Sequence, residues 1–277
     1  MSKVSFRSLS EKRVVSLTRA VLAAIRALRN WPSVLVHIGI NSEKDLVLIT
    51  RTGLNVVCPN LSMSRAPLFE ILVDDQYNTR DLDELVPENA VVLDIGAHIG
   101  SFALAAAKRY GNSQIHCYEP SPSSYSYLKK NILRNGYQTR VSGVSAAVGS
   151  KSGLRTFYEF DDGSCVNSMF AASGASERSV EVVNFSSIIE DLGGHVDLLK
   201  LDCEGSEYEI ILETDPQSWT GIATIILEYH PIDGHTFHQI KSRLNELGFT
   251  CNYEKPLHTP GLGMACFSRI SARQIEV

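Results

Sequence analysis

The chain has 277 residues, 44% of them hydrophobic, with a net charge of −5 and a pI of about 5.9. That length supports one sizeable core, and an acidic balance lacks the basic footprint of a nucleic-acid binder. No apolar run reaches the length of a membrane span and no secretory signal opens the chain, so a cytoplasmic protein is expected.

The first 30 residues run against this balance, with seven Lys and Arg against one Glu, about +6, which leaves about −11 for the rest. Val14, Leu17, Val21, Leu22, Ile25 and Leu28 recur at helical spacing, with Arg19, Arg26 and Arg29 between them. This is an amphipathic basic helix, assigned to a segment 1–32. We read it as packed on the acidic body or across a subunit interface. Docking to an anionic membrane surface or a carrier protein, or a lid over a pocket, are the alternatives.

A lead-in, 33–86, follows. The β-prone runs Val34–Ile38, Leu46–Ile49 and Leu54–Cys58 predict a small antiparallel unit. Residues 61–86 predict helix, ending at Pro87.

The third segment, 87–277, opens on the most informative stretch, Val91-Val-Leu-Asp-Ile-Gly-Ala-His-Ile-Gly-Ser-Phe102. It reads as strand, tight turn and helix, the first half of a βαβ unit. Gly96 permits the turn, and Ala97 leaves room for a ligand against the backbone. The spacing is D-x-G-x-x-x-G, so the dinucleotide fingerprint G-x-G-x-x-G is absent. A diphosphate wants bare backbone donors at a helix N-terminus, whereas Asp94 brings negative charge. A cationic, hydroxyl-bearing ligand such as S-adenosylmethionine suits it better.

Gln114–Pro120 predicts the second strand, with Glu119 at its end placed to accept both hydroxyls of a ribose. Pro120 stops that strand, Ser121 or Ser123 caps a helix 125–135, and Gly136 ends it. Gln138–Val148 predicts a third strand whose small terminal residues, Ala147 among them, would let an adenine lie flat. Val180–Phe185 is a further short strand, leading into a helix 186–192.

Val196–Asp202 is an apolar strand whose carboxyl end opens over the crevice where open α/β sheets bind ligands. Asp202 is thereby placed near a reacting group, with Glu204 in the turn that Gly205 permits. Glu207 and Glu209 fall in the next helical turn, where the helix dipole favours them whatever the function. The strand Thr224–His230 ends on Glu228 and His230, and an imidazole there could take a proton from an acceptor hydroxyl. Asp202, Glu204, Glu228 and His230 also offer ligands for Mg²⁺ or Mn²⁺. Spacing alone does not establish their convergence, so a divalent metal is not favoured and no metal ligand is assigned. A helix 237–247 and two antiparallel strands, 249–253 and 264–268, close the fold. Cys58, Cys117, Cys165, Cys203, Cys251 and Cys266 are scattered without a C-x-x-C pair, as in a reduced compartment.

Several of these pieces carry a family resemblance: Arg51–Val56, Glu70–Tyr77, Val92–Gly100, Tyr118–Pro120, Asp197–Glu207 and Leu227–His230. Over roughly residues 45 to 270 the chain resembles the FkbM family of S-adenosylmethionine-dependent methyltransferases. The resemblance implies a Rossmann-like class I methyltransferase sheet in an α/β fold, mostly parallel with an antiparallel C-terminal strand. It implies methyl transfer to oxygen of a sugar or other small metabolite. It also implies that Tyr77 faces the amino-acid end of the cofactor and that Ser164, Asn167 and Ser168 border the pocket.

The expected cofactor set is Tyr77, Asp94, Gly96, Ala97, Gly100, Phe102, Glu119, Pro120, Ala147, Asp202 and Glu204. The expected catalytic set is His230, Asp202 and Glu228. The partner is a small-molecule acceptor rather than nucleic acid, and a homo-oligomer is left open. Methyl-ester formation on a carboxylate and a nicotinamide-dependent oxidoreductase are the alternative activities; a cofactor-binding regulator without catalysis is the third class.

Overall fold

The computed structural model describes residues 21–22, 24–40, 44–60, 71, 82–159, 175–257 and 259–269. Tyr77, Ser164, Asn167 and Ser168, the first half of the basic helix and most of the expected helix 61–86 lie outside them; of that helix Ile71 is helical, but 82–86 form turns rather than carrying the helix to Pro87.

Residues 21–22 and 24–27 are helical, and Ala24 and Leu28 are buried. The run expected as a strand at Val34–Ile38 is instead inside a helix, α1 (Trp31–Ile40). β-branched residues favour strands by propensity, but tertiary packing decided here. Val34 is fully buried, Val36 is exposed and Ile38 packs on the same cluster as Val34, a helical period rather than alternation. Pro32 sits in the first turn, where its missing N–H costs nothing. Asn30 ties the helix start down, accepting the Ile49 N–H at 2.9 Å and donating to the Val47 carbonyl at 2.7 Å.

Strands β1 (Leu46–Ile49) and β2 (Asn55–Cys58) form the expected antiparallel hairpin. Next come β3 (Val91–Ile95), α2 (Ser101–Arg109), β4 (Gln114–Tyr118) and α3 (Pro122–Arg134). Ser121 caps α3 and Pro122 occupies its first turn. Asn131 on α3 and Asn135 at its C-terminal cap, one turn apart, act as a substitute strand for β2. Each side chain accepts a β2 N–H and donates to the same residue's carbonyl, Val57 and Asn55 respectively. Asn131 also donates to the Ile99 carbonyl at 2.8 Å, so the lead-in braces the glycine turn.

The expected third strand is split. β5 (Val141–Val144) stays in the main sheet, while β6 (Ala147–Gly149) joins β7 (Gly153–Glu159) and β8 (Ser176–Asn184) in a separate three-stranded sheet. Ala147 packs there against Phe157, Val180 and Val182, so it is not the end of a third sheet strand. The bend at Ser145-Ala146 parts the two segments, which alternation alone could not show. After β8 come α4 (Phe185–Asp191), β9 (Val196–Leu201), α5 (Ser206–Glu213), β10 (Ile222–Tyr229), α6 (Phe237–Glu246), β11 (Thr250–Pro256) and β12 (Gly263–Ser268). Glu209 of α5 holds the small sheet through Arg155 at 2.6 and 2.8 Å and through the Ser150 N–H and hydroxyl.

The main sheet has seven strands in the order β11-β12-β10-β9-β3-β4-β5. β3, β4, β5, β9 and β10 are parallel, and β12 runs antiparallel to both its neighbours. Alternate residues feed two cores. Leu93, Leu199, Leu201, Ile225 and Leu227 face one side, and Val92, Leu198 and Ile226 the other. Burial on both faces is why these strands read as nearly continuous apolar runs. The chain leaves β3 toward β4 and β5, then returns to build outward from β9. The crevice beyond the carboxyl ends of β3 and β9 is therefore the topological switch point. No helix among the described residues is long and apolar enough to cross a membrane.

Candidate active site

Register places the first charged groups. Asp94 pairs level with Lys200, and Lys200 level with Ile226. With a side-chain period of two, Asp94, Lys200, Asp202, Glu228 and His230 project from one face toward the carboxyl end. Lys200 is 2% exposed and Asp94 is fully buried. Lys200 Nζ lies 3.2 Å from Asp94 Oδ1 and 3.5 Å from Asp202 Oδ2, and donates to the Gly96 carbonyl at 2.6 Å. The Lys200–Asp94 contact is an ion pair between two buried groups. Burial acts to discharge the ammonium, but Asp94 and then Asp202 outweigh it and raise its pKa. Burial pushes the Asp94 carboxyl upward against Lys200.

The glycine turn is pressed against the β9 turn. Gly96 has φ +80°, and a Cβ there would collide with the Asp202 carbonyl. The Gly96 and Ala97 N–H groups both donate to the Tyr118 carbonyl at 3.0 Å, and the Asp202 N–H donates to Ile95 at 3.1 Å. The loop is thus stitched to β4 on one side and β9 on the other. His98 adopts φ +51°, rare for a residue with a Cβ. Burial holds its imidazole neutral, with a pKa of about 4.

Glu119 stands at the end of β4 and is 6% exposed. Its Oε2 accepts the His98 N–H at 2.7 Å and its Oε1 the Ser121 N–H at 2.8 Å. A carboxylate offers about four acceptor sites, so each oxygen retains one for a ligand hydroxyl. Burial lifts its pKa to about 7, against the pull of the two N–H groups and Lys200.

Beyond Asp202 lies a dense cluster. His230, 8% exposed, has Nδ1 at 3.2 Å from Glu207 Oε1. Its Nε2 lies 3.4 Å from Glu204 Oε2, 3.8 Å from Glu228 Oε1 and 4.0 Å from Asp202 Oδ1. Glu207 is fully buried and accepts the Cys203 and Gly205 N–H groups at 2.6 and 2.8 Å, which folds the β9 turn around it. Glu204 occupies φ +54° in that turn. Burial raises its carboxyl to about 8, with His230 opposing. Burial lowers the His230 pKa, but Glu207 first, then Glu204 and Asp202, lift it to about 10. The ring is thus one member of a coupled cluster with Asp202, Glu204, Glu207 and Glu228 rather than an isolated imidazole.

The structure therefore brings together Asp94, Gly96, Ala97, Glu119, Asp202, Glu204, Glu228 and His230 around the switch point. Phe102 is 2% exposed within the core cluster beneath the turn, and Gly100 caps α2 at φ +90°. Pro120 is half-buried between Glu119 and the α3 cap. Sequence reasoning missed Lys200 and the role of Glu207. A lysine inside Val-Asp-Leu-Leu-Lys-Leu with carboxylates at neighbouring register positions was the available signal for the first. The second had only its helix-start position, which the dipole explains as well.

The sheet order, with its single reversed strand, is that of a class I methyltransferase. Residues 94–251 match the Methyltransferase FkbM domain, and the chain belongs to that family. It is similar to methyltransferase sdnD of Sordaria araneosa, at 26% identity over 236 residues, 74% of this chain and 88% of that one. It is also similar to the 31-O-demethyl-FK506 methyltransferase FkbM of Streptomyces tacrolimicus, at 25% identity over 214 residues, 66% of this chain and 81% of that one. Among solved structures, magnesium protoporphyrin IX methyltransferase of Synechocystis PCC 6803 aligns with a TM-score of 0.43 at 12% identity, over 74% of this chain and 81% of that one.

Proposed function

We propose that this methyltransferase moves the methyl group of S-adenosylmethionine onto a hydroxyl oxygen of a small acceptor, a sugar or another secondary metabolite. The observation that carries the reading is contiguity: the bed of Gly96, Ala97 and Glu119 meets the His230 cluster through Lys200 and Asp202. A nucleoside on Glu119 would extend along the glycine turn, bringing its sulfonium toward Asp202, and the acceptor would enter over Glu228 and His230. The name of the Streptomyces tacrolimicus relative, an O-methyl-forming enzyme, supports oxygen as the atom modified.

The chemistry asks little of the protein beyond placement. The acceptor oxygen attacks the methyl carbon, the carbon–sulfur bond breaks with its electron pair going to sulfur, and the hydroxyl proton passes to the cluster. Asp202 and Glu228, working with His230 as a unit, are the groups placed to receive it. In-line positioning is worth about 7–11 kcal/mol in favourable cases, and proton removal roughly 100- to 10,000-fold more. With no cation bound, Asp202 and Glu228 at this mouth disfavour a carboxylate acceptor, and with it a methyl ester. The same acidity disfavours the diphosphate of a nicotinamide cofactor.

Transfer of a labelled methyl from S-adenosylmethionine across sugars, hydroxylated polyketides, peptides and carboxylic acids tests this. Base-stable label in a hydroxylated acceptor is expected. Label confined to base-labile esters, or nicotinamide reduction without methyl transfer, refutes it.

A further inference from the structure

We propose that Asp202, Glu204 and His230, with Glu228 beside them, form a binding site for a divalent first-row cation such as Mn²⁺. What that cation does rests on the methyl-transfer reading, because it would lie where the acceptor hydroxyl enters and would draw that oxygen toward ionisation. That it binds rests only on the geometry of the cluster.

Spacing is the first argument. One ligand atom from each of Asp202, Glu204 and His230 lies within 4.8 Å of the others. From His230 Nε2 to the three carboxylates the separations are 3.4, 3.8 and 4.0 Å. Charge-assisted N–H···O bonds close to about 2.7–2.9 Å, so a direct imidazolium–carboxylate bond would be tighter than any of these. Ligands around an octahedral ion with bonds of about 2.1 Å stand roughly 3.0 Å apart when adjacent and 4.2 Å apart when opposite. The three separations lie between those two values, and the trio as a whole would draw in slightly around the ion.

The orientation of the imidazole is the second, independent argument. His230 is more than nine-tenths buried, and its one hydrogen-bonding contact among the described residues is at Nδ1. The partner, Glu207, is itself immobilised by two backbone N–H donors and fully buried. A carboxylate behind the far nitrogen holds the Nδ1 proton, so that a cation would displace the proton at Nε2 and take that atom as its ligand, the arrangement that supports histidine ligands in metal sites. Nε2 is thereby aimed between Asp202, Glu204 and Glu228. The mixed donor set selects the cation class: oxygen ligands suit Mg²⁺ and Mn²⁺, and the imidazole shifts preference toward the transition series. Glu204, at φ +54°, is held in a strained turn that carries its carboxylate over this centre.

The protein, washed with chelator, is titrated with MnCl₂ while free Mn²⁺ is followed by electron paramagnetic resonance. Saturable binding of one Mn²⁺ per chain is expected, displaced by excess Zn²⁺. His230→Ala should remove it, and Glu207→Gln should weaken it by about 10- to 100-fold. Glu190→Gln, an exposed carboxylate elsewhere, should leave it unchanged. Thermal melts confirm that each variant folds, and nucleoside binding to the metal-free wild type reads the cofactor bed separately. Absence of saturable Mn²⁺ binding in the wild type, or binding indifferent to His230, overturns the cation site. Either result leaves the methyl-transfer reading standing if the nucleoside still binds.

Discussion

Glu119 offers the sharpest quantitative test of the nucleoside bed. Both its oxygens already accept a backbone N–H, from His98 and Ser121. Protonation would turn one oxygen into a donor facing a donor, and would remove an acceptor that the ribose hydroxyls need. Binding therefore selects the ionised carboxylate. Burial, with Asp94 adding and Lys200 opposing, places that ionisation at about 7 in the free protein. The sign follows from the raised pKa: affinity is present above this value and lost as pH falls through it. If only the ionised form binds, the apparent dissociation constant scales as one plus the ratio of protonated to ionised carboxyl. That factor is roughly 11 at pH 6 and roughly 1.1 at pH 8, a tenfold weakening or about 1.4 kcal/mol. Isothermal titration calorimetry with 5′-methylthioadenosine, which lacks the titrating amino-acid moiety, isolates this contact. Wild type should weaken tenfold on acidification, while Glu119→Gln should bind weakly and without pH dependence. A flat wild-type profile, or a Gln variant that follows the wild type, refutes the reasoning.

Gly96→Ala drives a methyl group into the Asp202 carbonyl at a backbone angle that disfavours any Cβ. It should lower stability by about 1–3 kcal/mol and reduce nucleoside affinity, read by urea denaturation and calorimetry; unchanged values would contradict the close approach. Lys200→Met leaves Asp94 buried without its counter-charge. A loss of about 3–5 kcal/mol is expected in chemical denaturation, and a loss under about 1 kcal/mol would show the pair to be dispensable. His230→Ala breaks the unit with Asp202 and Glu228 that takes the acceptor proton, and should reduce turnover by about 100-fold or more while nucleoside affinity stays within about twofold. Weakened nucleoside binding with normal turnover would move His230 out of the catalytic set.

Much of this architecture was legible because local signals and tertiary demands agree. Val91–Phe102 combines an apolar run, a turn glycine and a helical pattern, and folds as strand, turn and helix. The strand ends at Glu119, Asp202 and His230 were visible because acidic and imidazole groups interrupt buried runs where chain direction places the crevice. The reversed last strand followed from two short β-prone runs around a Pro- and Gly-bearing loop. Val34–Ile38 was misleading because β-branched residues suit a strand locally, whereas Asn30 and the buried Val34 commit the segment to a helix. Ala147 was misplaced because a bend of small residues carries no periodicity, so the start of a second sheet looked like the end of the first. The pairing of Lys200 with two carboxylates, and the grip of Glu207 on both the β9 turn and His230, depend on register across strands. No single segment encodes that register.

Which nucleoside the switch point accepts decides the function of the site. Competitive equilibrium binding of S-adenosylmethionine and NAD⁺ to the same protein addresses it most directly. Saturable S-adenosylmethionine binding that NAD⁺ does not displace, and that Glu119→Ala abolishes, is the result the account requires. Saturable NAD⁺ binding with no uptake of S-adenosylmethionine would contradict it.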